Sequence, residues 1–217
     1  MLAQILSIQV GLPERRRSII LGDSTETEWR SGIFKHRVDA ARLGLTNLEG
    51  DGQADHRFHG GPDRAVLLFS VRHYPLWEER LARKLEFGSF GENLSVEGID
   101  EETVCLGDIW ETDTVTLEIS QPRIPCSKLS RRLETPGFHL EVTKKAGGGF
   151  YARTLREGLV TTGDVLSLVS RPHPQWPVRR AFELYMYEKD DLSQLKELVA
   201  IPQLSQLWKD GLVKRLD

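Results

Sequence analysis

Apolar and polar positions alternate with a period of two along two stretches of the chain. Leu6, Ile8 and Val10 are interleaved with Ser7 and Gln9, and Val115, Leu117 and Ile119 with Thr116, Glu118 and Ser120, the pattern of strands with one buried face. A third strand is expected from Asp164 to Val169, where Gly163-Asp164 repeats the turn pair Gly107-Asp108 ahead of the second strand. Glycines at 50, 52, 60, 61, 88, 91, 98, 107 and 147–149 fall at intervals suited to the turns of a barrel or sandwich. This mainly β region is expected to contain a single amphipathic helix, from Pro75 to Leu85, where Trp77, Leu81 and Leu85 recur at helical spacing with Glu78, Glu79, Arg80 and Arg83 between them.

The pattern changes at Arg171-Pro172-His173-Pro174-Gln175-Trp176-Pro177, whose prolines suit neither a continuing strand nor a helix interior. This predicts a β domain over 1–170, a linker over 171–177 and a three-helix domain over 178–217. The helices are expected from Val178 to Lys189, Leu192 to Ala200 and Leu204 to Leu212, with Asp190 or Asp191 capping the second and Pro202 opening the third. Three helices of this size cannot hold a core alone. They are expected to pack together and against the barrel or a second copy of the chain, which makes a homodimer the expected assembly.

A chain of 217 residues with 39% hydrophobic content can bury a full core, and its net charge of −3 argues against stable binding to nucleic acid or an anionic membrane. The longest apolar run, Ala65 to Phe69, is far too short to span a bilayer. Two cysteines 21 positions apart do not make a disulfide scaffold, and Met1-Leu2-Ala3-Gln4 lacks the positive region of a signal peptide. A reduced, cytoplasmic protein is expected.

Candidate chemistry centres on Gln121-Pro122-Arg123-Ile124-Pro125-Cys126-Ser127-Lys128-Leu129. The prolines place Cys126 on a rigid loop leaving a strand, and a thiol beside Arg123 and Lys128 is biased toward thiolate, the form that attacks electrophiles and binds soft metals. A buried, inert cysteine is the commoner fate of a free thiol; Cys105, between Val104 and Leu106, is expected to be one. The stretch Gly50 to Arg64 concentrates glycine, carboxylate and histidine, and Arg64 offers a planar donor fork for phosphate. Asp51, Asp55, His56 and His59 could instead be the metal ligands of a hydrolase, although no HExxH is present; a turn whose histidines bond backbone is equally consistent. Asn93, in the turn Phe87 to Leu94, could read a ligand with its amide. Gly147-Gly148-Gly149 ahead of Arg153 frees backbone N–H groups as anion sites do, and His73 and Tyr74 are expected to pack and cap. Nicotinamide and flavin fingerprints are absent, so electrons would come from outside, and pyridoxal phosphate is not expected.

In order, Gly50-Asp51-x-Gln53-Ala54-Asp55, His59-Gly60-Gly61-Pro62-Asp63-Arg64, His73-Tyr74-x-x-Trp77, Phe90-Gly91-Glu92-Asn93-Leu94, Gln121-Pro122-Arg123-x-Pro125-Cys126-x-Lys128 and Gly149-Phe150-Tyr151-x-Arg153 resemble the MOSC domain family over essentially the whole chain, most closely its YiiM-type members. The resemblance implies a closed, mostly antiparallel β-barrel followed by a small three-helix domain, and a basic cleft for the molybdenum cofactor (molybdopterin). It places the molybdenum ligand at Cys126 and implies an oxidoreductase that reduces N-hydroxylated compounds, such as N-hydroxylated purine bases, with detoxification as the role and an external reductase as electron donor. His59, Arg64, Asn93, Arg123, Lys128 and Arg153 are the expected cofactor-binding residues. A non-catalytic carrier of cofactor or sulfur is the alternative. One departure is the triple glycine 147–149, where a single glycine would suffice.

Overall fold

The computed structural model of the chain describes residues 1–19, 26–55, 59–188 and 190–216. Its strands are β1 (Leu2–Val10), β2 (Glu14–Ile19), β3 (Glu26–Ser31), β4 (His36–Val38), β5 (Ala40–Leu43), β6 (Val66–Ser70), β7 (Leu94–Glu97), β8 (Ile109–Glu111), β9 (Thr116–Pro122), β10 (Phe150–Arg156), β11 (Gly158–Thr161) and β12 (Val165–Ser170). The helices are α1 (Tyr74–Leu81), α2 (Ser127–Arg132), α3 (Phe138–Lys144), α4 (Val178–Met186), α5 (Leu192–Val199) and α6 (Gln206–Leu216). Seven strands run in the order β12-β8-β9-β10-β6-β7-β1, and β1 pairs with β12 through Leu2↔Ser167, Ala3↔Leu166 and Gln4↔Val165 to close a barrel. Among the described residues only β6 and β7 pair in parallel within it, and α1 lies in the crossover this requires. The interior is filled from every barrel strand, with Ile5, Leu68, Leu94, Trp110, Leu117, Phe150 and Leu166 almost wholly buried.

The predicted strands form, but the alternation of β1 is interrupted. A bulge between Ile5 and Ser7 shifts the register against β7, so Ile5 and Ile8 are fully buried while Leu6 is only half-buried. Ser7 and Gln9 are buried as well; the Gln9 amide donates to Ser95 Oγ at 3.2 Å. Helix α1 is shorter than its periodicity predicts, because Ala82 takes a left-handed conformation (φ 51°) and ends it. Leu85 then packs from the following loop onto the aromatic cluster of Phe69, Tyr74, Trp77, Phe90 and Phe138.

The segment 171–177 is no free linker. Leu106 N donates to Trp176 O at 3.0 Å and Val178 N to Val104 O at 2.8 Å. Arg171 forks onto the wholly buried Asp108, with Nε to Oδ1 at 2.9 Å and Nη2 to Oδ2 at 2.6 Å. The three C-terminal helices follow, the first ending before Lys189, which lies outside the described residues. Asp191 caps α5 by accepting from Gln194 N at 3.0 Å. Pro202 stands before α6 rather than opening it; Ser205 Oγ, accepting from Trp208 N at 3.3 Å, takes that role. Phe182, Leu195, Leu198, Trp208 and Leu212 form a second core with Leu106 and Ala146 of the preceding domain. No helix among the described residues is long and apolar enough to cross a membrane.

Candidate functional site

Cys126 is held by what lies on either side of it. Strand β9 runs to Pro122, opposite Phe150 of β10, and Arg123 N continues the pairing to Gly149 O at 2.9 Å. After Ile124-Pro125 the chain turns into α2, whose Leu129 N donates to Cys126 O at 2.9 Å. Leu129 is fully buried in the aromatic cluster, so the loop is tied at both ends. The thiol of Cys126 is half-buried and lines a cavity of about 190 Å³. Cys105 is buried, its thiol donating to Pro174 O at 3.7 Å, and burial, reinforced by Asp108, raises its pKa.

Around Cys126 the cavity gathers cations: Arg64, Arg123, Lys128 and Lys35. The guanidinium of Arg123 is buried and donates to two carbonyls, Gly148 O at 3.1 Å and Phe90 O at 2.8 Å. No carboxylate among the described residues pairs with Arg123 or Lys128. Arg64 Nε donates to Gly60 O at 3.1 Å. The effect registers on His59, whose pKa is lowered to about 4, first by burial and then by the charges of Lys128, Arg64 and Arg123, against the opposing pull of Asp55. His59 is therefore neutral near pH 7.

Asp51 and Asn93 line the same cavity, yet both are committed to the scaffold. Asp51 accepts from Gly11 N at 2.9 Å, from Asn93 Nδ2 at 2.9 Å, from Gln53 Nε2 at 3.4 Å and from the buried Lys35. Asn93 also donates to Gln9 O at 3.3 Å and accepts from Leu67 N at 3.1 Å, leaving its amide little to offer a ligand. With its carboxylate saturated, Asp51 is a poor metal ligand, and no group of three metal-binding side chains occurs among the described residues. His56 lies outside them. The turn before Asn93 is built on fully buried Glu92, which accepts from Gly88 N at 2.8 Å, Phe90 N at 3.1 Å, Ser95 Oγ at 3.0 Å and the Tyr74 hydroxyl. This fixes the Phe90 carbonyl that Arg123 grips.

Two expectations need correction. The glycine triplet does not line the cavity of Cys126, and Gly149 N is already committed, donating at 2.6 Å to Glu101, whose other oxygen meets His73 Nε2 at 2.6 Å. Burial opposes protonation of His73, but Glu101 outweighs it and raises the pKa. Close approach explains two of the three: a Cβ on Gly148 would lie 2.6 Å from Arg123 O, and one on Gly149, where φ is 86°, 2.5 Å from Leu68 O. Arg153 does not join the cavity cations. It donates to Asp63 Oδ1 through Nε at 3.0 Å and Nη2 at 2.6 Å, and to Glu118. Asp63 Oδ2 in turn accepts from Gln206 N at 3.2 Å, so Arg153 braces the start of α6.

That brace brings Leu207 and Trp208 into the cavity wall beside Ile33 and Ile124. Gln121 and Tyr151 also line the cavity. Both lie in the motifs of the resemblance, but only the pairing of β9 with β10 sets them opposite each other.

Comparison with known proteins agrees with this architecture. A family model described as the MOSC domain matches residues 55–167, and one described as the YiiM-like, 3-alpha helix domain matches residues 176–217. YflK of Bacillus subtilis (strain 168) is 38% identical over 214 residues, which are 98% of this chain and 94% of that protein. A protein named reductase from Gibberella moniliformis (strain M3125 / FGSC 7600) is 33% identical over 194 residues, covering 87% of this chain but only 34% of that protein. The crystal structure of YiiM from Geobacillus stearothermophilus matches with a TM-score of 0.82 and 31% identity, over 99% of this chain and 100% of that one.

Proposed function

The chain belongs to the MOSC domain family, with the C-terminal helical domain of its YiiM-like members, and from that premise we propose that it is a molybdenum-cofactor-dependent reductase of N-hydroxylated compounds, such as N-hydroxylated purine bases. One observation carries the reading: the accessible thiol of Cys126 shares its cleft with Arg123 and Lys128, cations that have no carboxylate partner among the described residues. A buried guanidinium without a counter-charge is costly, and an anionic ligand offsets that cost. The donor set, one soft thiol among forked and point-charge cations, fits a cofactor that carries a soft metal and a phosphate.

When bound, that cofactor supplies two-electron reduction at its metal, so that R–NHOH with two electrons and two protons gives R–NH2 and water. The chain's residues bind and orient. Arg123, Lys128 and Arg64 attract the anionic portion of the cofactor. Cys126 offers the sulfur ligand. His59, neutral because of burial and its cationic neighbours, presents a donor and an acceptor nitrogen without adding a further charge. Leu207, Trp208 and Ile33 exclude water from one side. Electrons come from an external reductase; the Gibberella protein named reductase, about two thirds of which lies outside the match, is consistent with such a partner.

The test is expression in a cofactor-competent host, with molybdenum measured per chain and turnover of an N-hydroxylated base followed with an artificial electron donor. Wild type and Cys105→Ser should hold the metal and turn over, while Cys126→Ser should fold but lose both, because a hydroxyl is neither soft nor ionised. Equal molybdenum in the two variants rules out Cys126 as ligand. Metal without turnover in the wild type would instead make the protein a carrier.

A further inference from the structure

One buried acceptor in the cleft is left without a donor. Gln121 is 3% exposed and its Oε1 has no hydrogen-bond partner. Its Nε2 donates to Pro122 O at 3.3 Å, which fixes the orientation of the amide: only a nitrogen can donate there, so the oxygen is the end left over. Directly across the β9–β10 pairing stands Tyr151, whose hydroxyl makes no hydrogen bond among the described residues. Burial raises the pKa of this phenol, against the pull of Arg123 and Arg64, so it remains an O–H donor near neutral pH. Both side chains line the cavity that holds Cys126. A buried acceptor is rarely left unpaired unless something else supplies the donor.

We propose that Gln121 and Tyr151 form a subsite that reads the edge of a planar nitrogen heterocycle, Gln121 Oε1 accepting from an exocyclic amine N–H of the ligand and the Tyr151 hydroxyl donating to a ring nitrogen. The proposal deepens the reductase reading, since a purine base and a pterin both present such an edge, but it requires only that a heterocycle enter the cleft. Neither residue is a point of charge, so the pair selects by hydrogen-bond pattern where the cations select by charge.

The experiment has one arm for each source of the heterocycle. On the full chain produced without cofactor, ligand-observed NMR titrations compare adenine, which carries exocyclic N–H donors, with purine, which lacks them and is no bulkier. In the second arm, molybdenum content is compared between wild type and Gln121→Met made in a cofactor-competent host. A substrate subsite gives about tenfold tighter binding of adenine than of purine. That ratio collapses to about one in Gln121→Met and survives in Gln121→Glu, which keeps an acceptor; Tyr151→Phe weakens both ligands alike. A pterin subsite gives a ratio near one in the wild type and a several-fold loss of molybdenum in Gln121→Met. Melting curves confirm folding, and Tyr151→Phe and Gln121→Glu carry the test if the methionine variant does not fold. Two outcomes overturn the proposal: an adenine preference that persists in Gln121→Met, or no preference in the wild type together with unchanged molybdenum. Adenine preference in a chain that reduces no N-hydroxylated base leaves the subsite standing and removes the activity.

Discussion

Two cations can serve one ligand and still differ in what they do for the fold. Arg123 is buried and holds the carbonyls of Gly148 and Phe90, so Arg123→Met strands two acceptors and should destabilise the protein by about 2–4 kcal/mol. Lys128 has no ion pair among the described residues, and Lys128→Met should stay within about 0.5 kcal/mol. Both should lower cofactor retention; denaturant melts and molybdenum content together separate the two roles, and equal stability losses would contradict the assignment. His59 gives a pH signature. Its pKa falls from the ordinary 6.5 to about 4 in the fold, so between these values the unfolded chain binds more protons and stability rises with pH. The contribution is complete above about pH 6.5 and is lost as pH falls toward 4. His59→Gln should therefore gain on the wild type across that window, and a stability difference that does not vary there would refute it. The placement of Cys126 on a tied loop is legible in the sequence because its rigidity is local, written in neighbouring prolines. The partner of Arg153 is not: whether an arginine meets ligand or carboxylate depends on Asp63, 90 positions away.

At the scale of elements, the strands with regular alternation were readable and the irregular ones only partly so. The bulge in β1 shifts register after Ile5, and no residue type announces it. Helices α2 and α3 are not legible in the sequence because six or seven residues give too little periodicity; Ser127–Arg132 carries a single apolar side chain, Leu129. The α1 boundary is not legible because the residue that ends the helix is Ala82 with φ 51°, where glycine is the usual signal. Ala82→Gly should therefore stabilise the protein by about 0.5–1 kcal/mol by relieving left-handed strain, raising the melting temperature; a decrease would show that the strain is absent. Gly148→Ala should do the opposite, since its Cβ would press on the Arg123 carbonyl at 2.6 Å, and it should loosen the loop leading to Cys126.

For the molecule as a whole, no expected ligand lies beyond Ser170, yet the apolar faces of the tail predict helices packed on the barrel or on a second copy of the chain. The geometry shows packing on the preceding domain. Removing 171–217 takes Arg171 from the wholly buried Asp108, a loss of about 3 kcal/mol for a buried carboxylate left unpaired. It also uncovers Leu106 and Ala146 and strips the wall formed by Leu207 and Trp208. The helices are covered in part by Leu106 and Ala146 of the preceding domain, while Tyr187, Leu192 and Val213 stay exposed; we still propose a homodimer, through this face or through Leu2, Val165 and Val169, exposed where β1 meets β12. Size-exclusion chromatography with light scattering on full-length and 1–170 protein tests both points. The fragment should aggregate or melt at least about 10 °C lower, because against a total stability of about 5–15 kcal/mol the lost ion pair and uncovered core leave little margin, and any folded fraction should bind cofactor weakly through a cleft open to water. A 1–170 fragment as stable as the full chain, with unchanged molybdenum content, would show that the seam at Asp108 and the α6 wall contribute nothing to the site.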